Sequence, residues 1–464
     1  MSAAPAEFTH WLFADYHAQR DALMQGRLRV SELARAQLDW ISRWQPTINA
    51  FIALDAERAM TAALDADTRF AGGQARPLEG LLVAVKDNID VAGLVTTAGM
   101  ATRRDGAPAS VDAPMVALLR QAGAIVLGKL NMHEAALGAD NDNPHFGACH
   151  NPHRHGFTPG GSSGGSGAAV AAGFCTVALG SDSMGSVRIP ASYCGVLGLK
   201  ASFGAFSPRG SVVLSRRLDH LGPLARSTRD LASILEHAVR FDAHSAQSRH
   251  ITLTAPHGAP LVIGVLPDAS LGLDDDVEAA YQQACHAMQA LGHQLIELSL
   301  GEHDFGRARR AGLLTCEAEM LCEHAADWKA SPEKFSPALA GMLHWVESRK
   351  ASDFVAADRQ LDAAMVLAQG WLEQCDVVLT PTAPQCAFSF GEAVPANQAD
   401  LTSIANMAGL PALSIPMPVA TDQLPMGLQL IGAHAGEATL LALADAYLDA
   451  TRYQPQRPTA MQDD

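Results

Sequence analysis

Serine hydroxyls and one lysine are the side chains of this sequence with the clearest chemical potential. Ser162, Ser163 and Ser166 lie within a ten-residue stretch, 158–167, in which eight residues are Gly or Ser. A second Gly/Ser-dense turn follows at 180–186 and contains Ser181, Ser183 and Ser186. A serine hydroxyl is a weak nucleophile and needs a base. The sequence has no G-x-S-x-G elbow and no histidine placed as a triad partner.

Lys86 is the candidate base, because it ends the apolar run 81–85, which has the length of a buried strand. A lysine that is taken out of water loses its charge readily, and a neutral amine accepts protons. The backbone N–H groups around Met184, Gly185 and Ser186 are candidates for an oxyanion hole. Lys86 is equally compatible with a lysine that emerges into solvent at a strand end. The spacing alone does not bring Lys86 next to Ser186.

Two other interpretations of these residues compete, and a metal site must be considered for a separate group of histidines. A phosphate loop is disfavoured, because no lysine follows the glycines and no G-x-G-x-x-G follows a strand. Structural turns between packed elements remain an alternative, although Ser density in two adjacent turns is unusual for them. Five histidines lie between His133 and His155, but they alternate with Asn-Pro turns and no ligand pair is held on a helix. Polar loop histidines are therefore favoured over a metal site.

The elements that must position these residues alternate between helix and strand. Strands are predicted at 81–85, 123–128, 262–265, 376–381 and 427–432, and a helix at 112–121, which indicates an α/β sheet. Residues 8–68 are predicted to be helical, with Ser31 as an N-cap. Without a composition shift along the chain, we predict one α/β domain over 1–464. Residues 1–70 would form a helical N-terminal cover, and 300–375 a mostly helical, variable region at the substrate pocket.

Charge and cysteine usage limit the function further. The 464 residues carry a formal net charge of -16, which disfavours nucleic acid as a partner, since phosphate binding needs clustered Lys and Arg. No apolar run has the length of a membrane span. The eight cysteines are scattered without close pairing, which is typical of reduced, structural cysteines. A cytoplasmic location without membrane association is expected.

The motifs together resemble the amidase signature family of serine hydrolases. The matching segments are 85–88, 127–134, 160–166, 180–190, 222–227 and 409–411, and Ser162 and Ser186 are 24 positions apart, as in the family. The resemblance extends over about residues 25–450. It implies a central mixed β-sheet covered on both faces by α-helices, and no metal or organic cofactor.

The resemblance also implies a role for each residue of the motifs. Ser186 would be the nucleophile, Ser162, preceded by a cis peptide bond from Gly161, would relay the proton, and Lys86 would be the base. The oxyanion would lie against the backbone N–H groups of Ser183, Met184, Gly185 and Ser186. Ser163 would support the triad by hydrogen bonding. We interpret Asp182 and Arg188 as a buried pair that fixes the nucleophile turn.

The expected function is that of an amidohydrolase acting on a non-peptide C–N bond. A carboxamide, aryl amide, ureido compound or carbamate (a urethanase activity) would form an acyl-enzyme on Ser186. Many family members have Thr and Gly where this chain has Ser183 and Met184, and the Met184 side chain would narrow or line the pocket. A small-molecule substrate is the expected partner, and either a monomer or a homodimer is compatible with the sequence. The alternative is the glutaminase (A) subunit of a tRNA-dependent amidotransferase complex.

Overall fold

The computed structural model describes residues 6–258, 260–420, 422–458 and 461. Fifteen α-helices occur within these residues, beside short 3₁₀ turns. The helices of the first half are α1 Ala6–Phe13, α2 Tyr16–Met24, α3 Val30–Ile48, α4 Ala56–Ala71, α5 Pro114–Ala122, α6 Gly164–Ala171, α7 Arg188–Cys194 and α8 Thr228–Ala238. Those of the second half are α9 Asp275–Ala290, α10 Phe305–Glu323, α11 Ala325–Ala330, α12 Pro337–Glu347, α13 Ala351–Leu372, α14 Asp400–Met407 and α15 Glu437–Ala450.

One mixed sheet of eleven strands runs through the described part of the chain. The strands are β1 Phe51–Leu54, β2 Leu82–Lys86, β3 Ile125–Leu130, β4 Val177–Asp182, β5 Leu197–Lys200, β6 His220–Ala225, β7 Val262–Val265, β8 Gln294–Glu297, β9 Val377–Pro381, β10 Ala412–Pro416 and β11 Gly427–Gly432. Their order is β1-β3-β2-β4-β6-β5-β10-β11-β9-β7-β8. Strand β2 pairs in parallel with both β3 and β4, whereas β4 pairs antiparallel with β6.

The two faces of the sheet carry separate apolar cores. Along β2, Leu82 and Ala84 belong to one buried cluster, and Val83 and Val85 belong to the other. This alternation is the period of two that a strand imposes on its side chains. Both faces of the strand are apolar, as expected for a strand buried under helices on either side. The predicted mixed sheet with helices on both faces is confirmed.

The N-terminal helices pack on one of these faces. Leu33 and Ile41 of α3 are fully buried in the same cluster as Leu82 and Ala84. The prediction that Ser31 caps this helix is wrong, because α3 begins at Val30 and Ser31 lies in its first turn. Asp67 of α4 takes the capping role, since its Oδ1 accepts from the N–H of Val30 at 2.7 Å and its Oδ2 accepts from the Ser31 hydroxyl at 2.5 Å.

Helix α6 explains the glycines of the first Gly/Ser stretch. It packs so closely that a Cβ on Gly165 would lie 2.3 Å from the carbonyl oxygen of Asn131. A Cβ on Gly167 would lie 2.7 Å from the carbonyl oxygen of Pro190. Both contacts are shorter than a carbon–oxygen van der Waals separation, so only glycine fits. The glycines therefore let α6 fix the preceding loop, which contains Ser162, against neighbouring backbone.

Candidate active site

Lys86 ends β2 in a fully buried position. Its Nζ lies 2.8 Å from Ser162 Oγ and 2.8 Å from Ser181 Oγ. Burial lowers the pKa of Lys86 to about 7, although the carboxylates of Asp182 and Asp219 act in the opposite direction. A lysine emerging into solvent is thereby excluded, and a neutral amine at Lys86 is accessible near neutral pH.

Ser162 is buried in the middle of the first Gly/Ser stretch, 158–167, just before α6. The peptide bond between Gly161 and Ser162 is cis, as the family resemblance implied. The carbonyl oxygen of Ser162 accepts from the backbone N–H of His133 at 3.1 Å. The Ser162 backbone is thus held by the segment that follows β3, while its hydroxyl faces Lys86.

Sequence reasoning missed Ser181 and Asn88 as members of this cluster. Ser181 Oγ lies within hydrogen-bond distance of both Lys86 Nζ and Asn88 Nδ2, the latter at 3.0 Å. All three side chains are buried. Asn88 lies in the motif 85–88 and Ser181 in the motif 180–190, so their membership in these motifs could have identified them as candidate site residues.

An ion pair between Asp182 and Arg188 organises the turn that carries Ser186. Arg188 donates from Nε to Asp182 Oδ2 and from Nη2 to Oδ1, each at 2.9 Å, and both side chains are fully buried. Asp182 also accepts from the N–H groups of Gly185 at 2.7 Å and Val187 at 3.1 Å. Burial would raise the pKa of Asp182, but the Arg188 guanidinium lowers it well below its usual range. The Asp182 carboxylate therefore stabilises this turn by accepting hydrogen bonds from its backbone.

Ser163 connects the two Gly/Ser turns. Its hydroxyl donates to the carbonyl oxygen of Ser181 at 3.0 Å, and its backbone N–H donates to the carbonyl oxygen of Ser186 at 3.2 Å. The structure thus brings the two predicted serine-bearing loops against each other. Thr402 adds a further contact, because its hydroxyl donates to the carbonyl oxygen of Met184 at 2.6 Å.

Asp219 is a second acidic residue under this turn that the sequence did not single out. Its Oδ1 accepts from the Ser183 hydroxyl at 2.6 Å and from the N–H of Ser215 at 3.0 Å. Its Oδ2 accepts from the N–H of Leu214 at 2.8 Å. Burial raises the pKa of Asp219 to about 6. Of the four backbone N–H groups expected to face an oxyanion, that of Gly185 already donates to Asp182, so an oxyanion contact from Gly185 would be shared.

A cavity of about 230 Å³ opens beside Ser186. Its walls come from the turn around Ser186, from the segment after β3, from α10 and from the approach to α14. The lining residues are Ala136, Leu137, Gly138, Ala139, Gly161, Ser183, Met184, Ser186, Ile189, Leu214, Arg309, Leu313, Cys316, Val394, Pro395, Ala396, Gln398 and Ala399. Met184 lies in the wall, in accord with the expectation that its side chain lines the pocket. Most of the lining is apolar.

Four of the five histidines of 133–155 contact other residues of the same segment. His133 Nδ1 lies 2.8 Å from Asp140 Oδ1, and His145 Nε2 lies 2.7 Å from Glu134 Oε1. His150 and His155 stack with ring centroids 4.0 Å apart. Among the residues that the structure describes, no three metal-ligating side chains come together. These contacts favour the interpretation of polar loop histidines.

The fold and the site together are characteristic of one class of enzyme. In this class a mixed sheet is covered by helices, and its central strands place a buried lysine against serine-rich turns beside an apolar cavity. The family model Amidase matches residues 32–441, and the chain belongs to the amidase signature family. In the described part of the chain, no helix combines the length and the apolar character needed to cross a membrane.

Similar proteins include amidotransferase subunits and hydrolases. A glutamyl-tRNA(Gln) amidotransferase subunit of Desulforapulum autotrophicum is 34% identical over 461 residues, covering 91% of this chain and 94% of that protein. A structure described as a vestigial protein complex that reveals the evolutionary origins of an s-triazine catabolic enzyme has a TM-score of 0.87 and 32% identity, covering 94% of this chain and 98% of that one. The 6-aminohexanoate cyclic dimer hydrolase has a TM-score of 0.86 and 27% identity, covering 97% and 99%. The chain is an enzyme of carbon–nitrogen bond cleavage.

Proposed function

We propose that the chain is an amidohydrolase for a small carboxamide, with Ser186 as nucleophile, Ser162 as proton relay and Lys86 as base. The observation that carries this proposal is the 2.8 Å separation of Lys86 Nζ and Ser162 Oγ in a fully buried setting. A pKa of about 7 for Lys86, set by burial, gives a useful fraction of the neutral amine at neutral pH. Ser186 and Gly161, the residue before Ser162, line the same cavity.

The proposed reaction has two halves with one proton path. Ser186 Oγ attacks the amide carbonyl carbon while its proton passes to Ser162 Oγ and the Ser162 proton passes to Lys86 Nζ. The C–N bond then breaks, and the leaving nitrogen takes a proton back along the same path, which leaves an ester on Ser186. Water attacks this ester with the same relay as base, and the carboxylic acid leaves.

The oxyanion of both tetrahedral intermediates would lie against the backbone N–H groups of Ser183, Met184, Gly185 and Ser186. Such preorganised donors contribute more than the same groups in water, because they need no reorganisation when the negative charge develops. Asp182, Arg188 and Ser163 act by holding the turn that carries these donors. Asp182 and Ser163 hydrogen-bond directly to this turn, and Arg188 acts through its buried ion pair with Asp182.

The cavity supports a small substrate. Its volume of about 230 Å³ lies just below the range of ~300–1,000 Å³ that is common for small-molecule pockets. Leu137, Ile189 and Leu313 give it apolar walls. A short aliphatic amide fits these properties better than a large aryl amide.

A hydrolysis panel tests the proposal. We expect the purified chain to hydrolyse short primary amides, and Ser186→Ala to lower kcat by at least about a thousandfold. The rates of hydrolysis of anilide, carbamate and ureido compounds in the same panel show which leaving groups the enzyme accepts. Turnover that survives Ser186→Ala would remove Ser186 from the proposed role, and a panel without any turnover would contradict the hydrolase itself.

The glutaminase subunit of an amidotransferase is the second candidate. It is supported by the curated relatives described as amidotransferase subunits, at 34% identity over nearly the full chain. Glutamine hydrolysis by the same serine would release ammonia for a partner protein. Glutamine as the preferred substrate, with a rate that rises when an amidotransferase partner is added, would favour this candidate. Faster turnover of simple amides by the chain alone would favour the amidohydrolase.

A further inference from the structure

Arg309 is the charged side chain in the wall of the cavity. Among the residues that the structure describes there, all other lining side chains are apolar or uncharged. Arg309 belongs to the second turn of α10, on the same helix as Leu313 and Cys316 of the cavity wall. Its side chain is 22% exposed, so most of the side chain is withdrawn from bulk water. An arginine in an apolar wall is costly unless something binds to it.

Asp400 fixes the orientation of this guanidinium. Arg309 Nε donates to Asp400 Oδ1 at 2.5 Å, and Asp400 is the first residue of α14. Within the described residues, this is the only hydrogen bond that the Arg309 guanidinium makes. Asp304, whose charge also acts on Asp400, caps α10 by accepting from the N–H of Arg307 at 2.9 Å and does not line the cavity. The N–H groups on Nη1 and Nη2 of Arg309 thus remain for another acceptor.

We propose that Arg309 binds a carboxylate of the substrate, so that the preferred substrates are amides that carry a carboxylate at their other end. A guanidinium presents paired N–H donors whose spacing matches the two oxygens of a carboxylate. Asp400 holds Nε and therefore leaves the outer edge of the fork for this contact. Because Arg309 and Ser186 line the same cavity of about 230 Å³, a substrate that reaches both would carry its carboxylate a short aliphatic chain away from the carbonyl. This inference rests on the proposed amide hydrolysis and names its substrate class.

Matched substrate pairs test the inference. Succinamate and butyramide differ by a carboxylate in place of a methyl group, and glutaramate and valeramide form a second such pair. We expect kcat/KM to be about 10- to 100-fold higher for the carboxylated member of at least one pair, as for a hydrogen bond to a charged group. Glutamine against glutaramate reports whether an additional ammonium group is tolerated.

Arg309→Gln is the test variant and Arg310→Gln is its control. Arg310 follows directly on α10 but donates to Glu317 from Nη1 at 3.2 Å and from Nη2 at 2.8 Å, outside the cavity. We expect Arg309→Gln to remove the preference for the carboxylated member through KM, with Arg309→Lys restoring part of it. Arg310→Gln should leave the preference at the wild-type value.

The outcomes separate this inference from the proposed function. A wild-type enzyme that prefers the neutral amides, or a preference that survives Arg309→Gln, would overturn the role of Arg309 and leave amide hydrolysis standing. If no amide is hydrolysed, the proposed function fails, and calorimetric binding of succinate and glutarate decides about Arg309 separately. Equal affinity of the wild type and Arg309→Gln for these dicarboxylates would then overturn the inference.

Discussion

The protonation state of Lys86 is the residue-scale property on which the proposed chemistry depends. Its ammonium form is disfavoured by full burial, and the hydroxyls of Ser162 and Ser181 replace only part of the lost hydration. In the proposed mechanism, Ser162 has a base beside it only when this amine is neutral. The burial that lowers the pKa of Lys86 would then also set the pH at which the enzyme works.

We expect kcat/KM to rise with pH through about 7, the pKa to which burial lowers Lys86. Below that pKa the neutral fraction, and with it the rate, falls about tenfold per pH unit. Lys86→Arg keeps the positive charge but cannot lose its proton, so this variant should be inactive at every pH. A pH–rate profile of the wild type, with Lys86→Ala beside Lys86→Arg, measures both effects. A profile that is flat through neutral pH, or an active Lys86→Arg, would show that Lys86 is not the base.

At the scale of elements, the site is assembled where strand ends and turns meet. The apolar run before Lys86 predicted strand β2 and its end correctly to within one residue, because a continuous apolar run is a strong signal. The contact between Lys86 and Ser181 was not predictable in this way. Alternation aligns Ser181 with Val177 and Leu179 on one face, and Lys86 with Leu82 and Ala84 on the other. Lys86 and Ser181 nevertheless make contact at the ends of the neighbouring strands β2 and β4, where the alternation pattern does not predict it.

The Asp219 contacts join two further segments at this scale. Asp219 precedes β6 and is 36 residues from Ser183, so no local pattern announces that the two are hydrogen-bonded. The carboxylate links the turn of the expected oxyanion hole to Leu214, which lines the cavity. In the proposed mechanism, Asp219 would be a positioning residue that acts on the substrate through the backbone of the turn.

We expect Asp219→Asn to lower kcat by about tenfold or more, because an amide cannot accept from all three donors and the oxyanion turn shifts. The free energy of unfolding should fall by about 1–3 kcal/mol, the cost of buried donors left unpaired. Ser183→Ala keeps the backbone N–H but removes its hydroxyl contact with Asp219. Steady-state kinetics and urea unfolding of both variants provide the measurement. If both variants keep the wild-type kcat, Asp219 does not position the turn.

For the whole molecule, the sequence predicted the α/β class. The prediction of helix over 8–68 is confirmed for most of that segment but is wrong at β1, Phe51–Leu54, which pairs with β3 at the edge of the sheet. How the N-terminal helices are attached was not predicted. Apolar periodicity shows which face of α3 is buried, yet it gives no information on distant hydrogen bonds. Arg226 supplies this attachment from the end of β6, within the motif 222–227 that was recognised only as a family resemblance. The sequence did not predict the strand order either, because several neighbours in the sheet are not neighbours in the chain. Strand β6 lies between β4 and β5, and the later strands join the sheet beside β5.

Arg226 is buried and donates to five backbone carbonyl groups. Nε and Nη2 donate to carbonyl oxygens of the last two residues of α1 and of the residue after it, and Nη1 donates to two carbonyl oxygens around the end of α6. The acceptors are Phe13 at 3.0 Å, Leu12 at 3.1 Å, Ala14 at 3.1 Å, Val170 at 2.7 Å and Cys175 at 3.0 Å. One guanidinium thus fastens the N-terminal helices to the helix that follows Ser162.

We expect Arg226→Gln to lower the free energy of unfolding by about 3–5 kcal/mol, because several buried carbonyl groups lose a charged donor at once. Arg226→Lys should recover only part of this loss. A lysine lacks the planar guanidinium, so its single ammonium group cannot reach the carbonyl groups near α1 and those near α6 at the same time. Arg229→Gln is the matched control. Arg229 pairs with Asp15 at 2.9 Å with a side chain that is 62% exposed, so its loss should cost less than about 1 kcal/mol. Urea unfolding followed by circular dichroism compares the three variants. Equal losses for Arg226→Gln and Arg229→Gln would mean that the N-terminal helices are held by apolar packing alone.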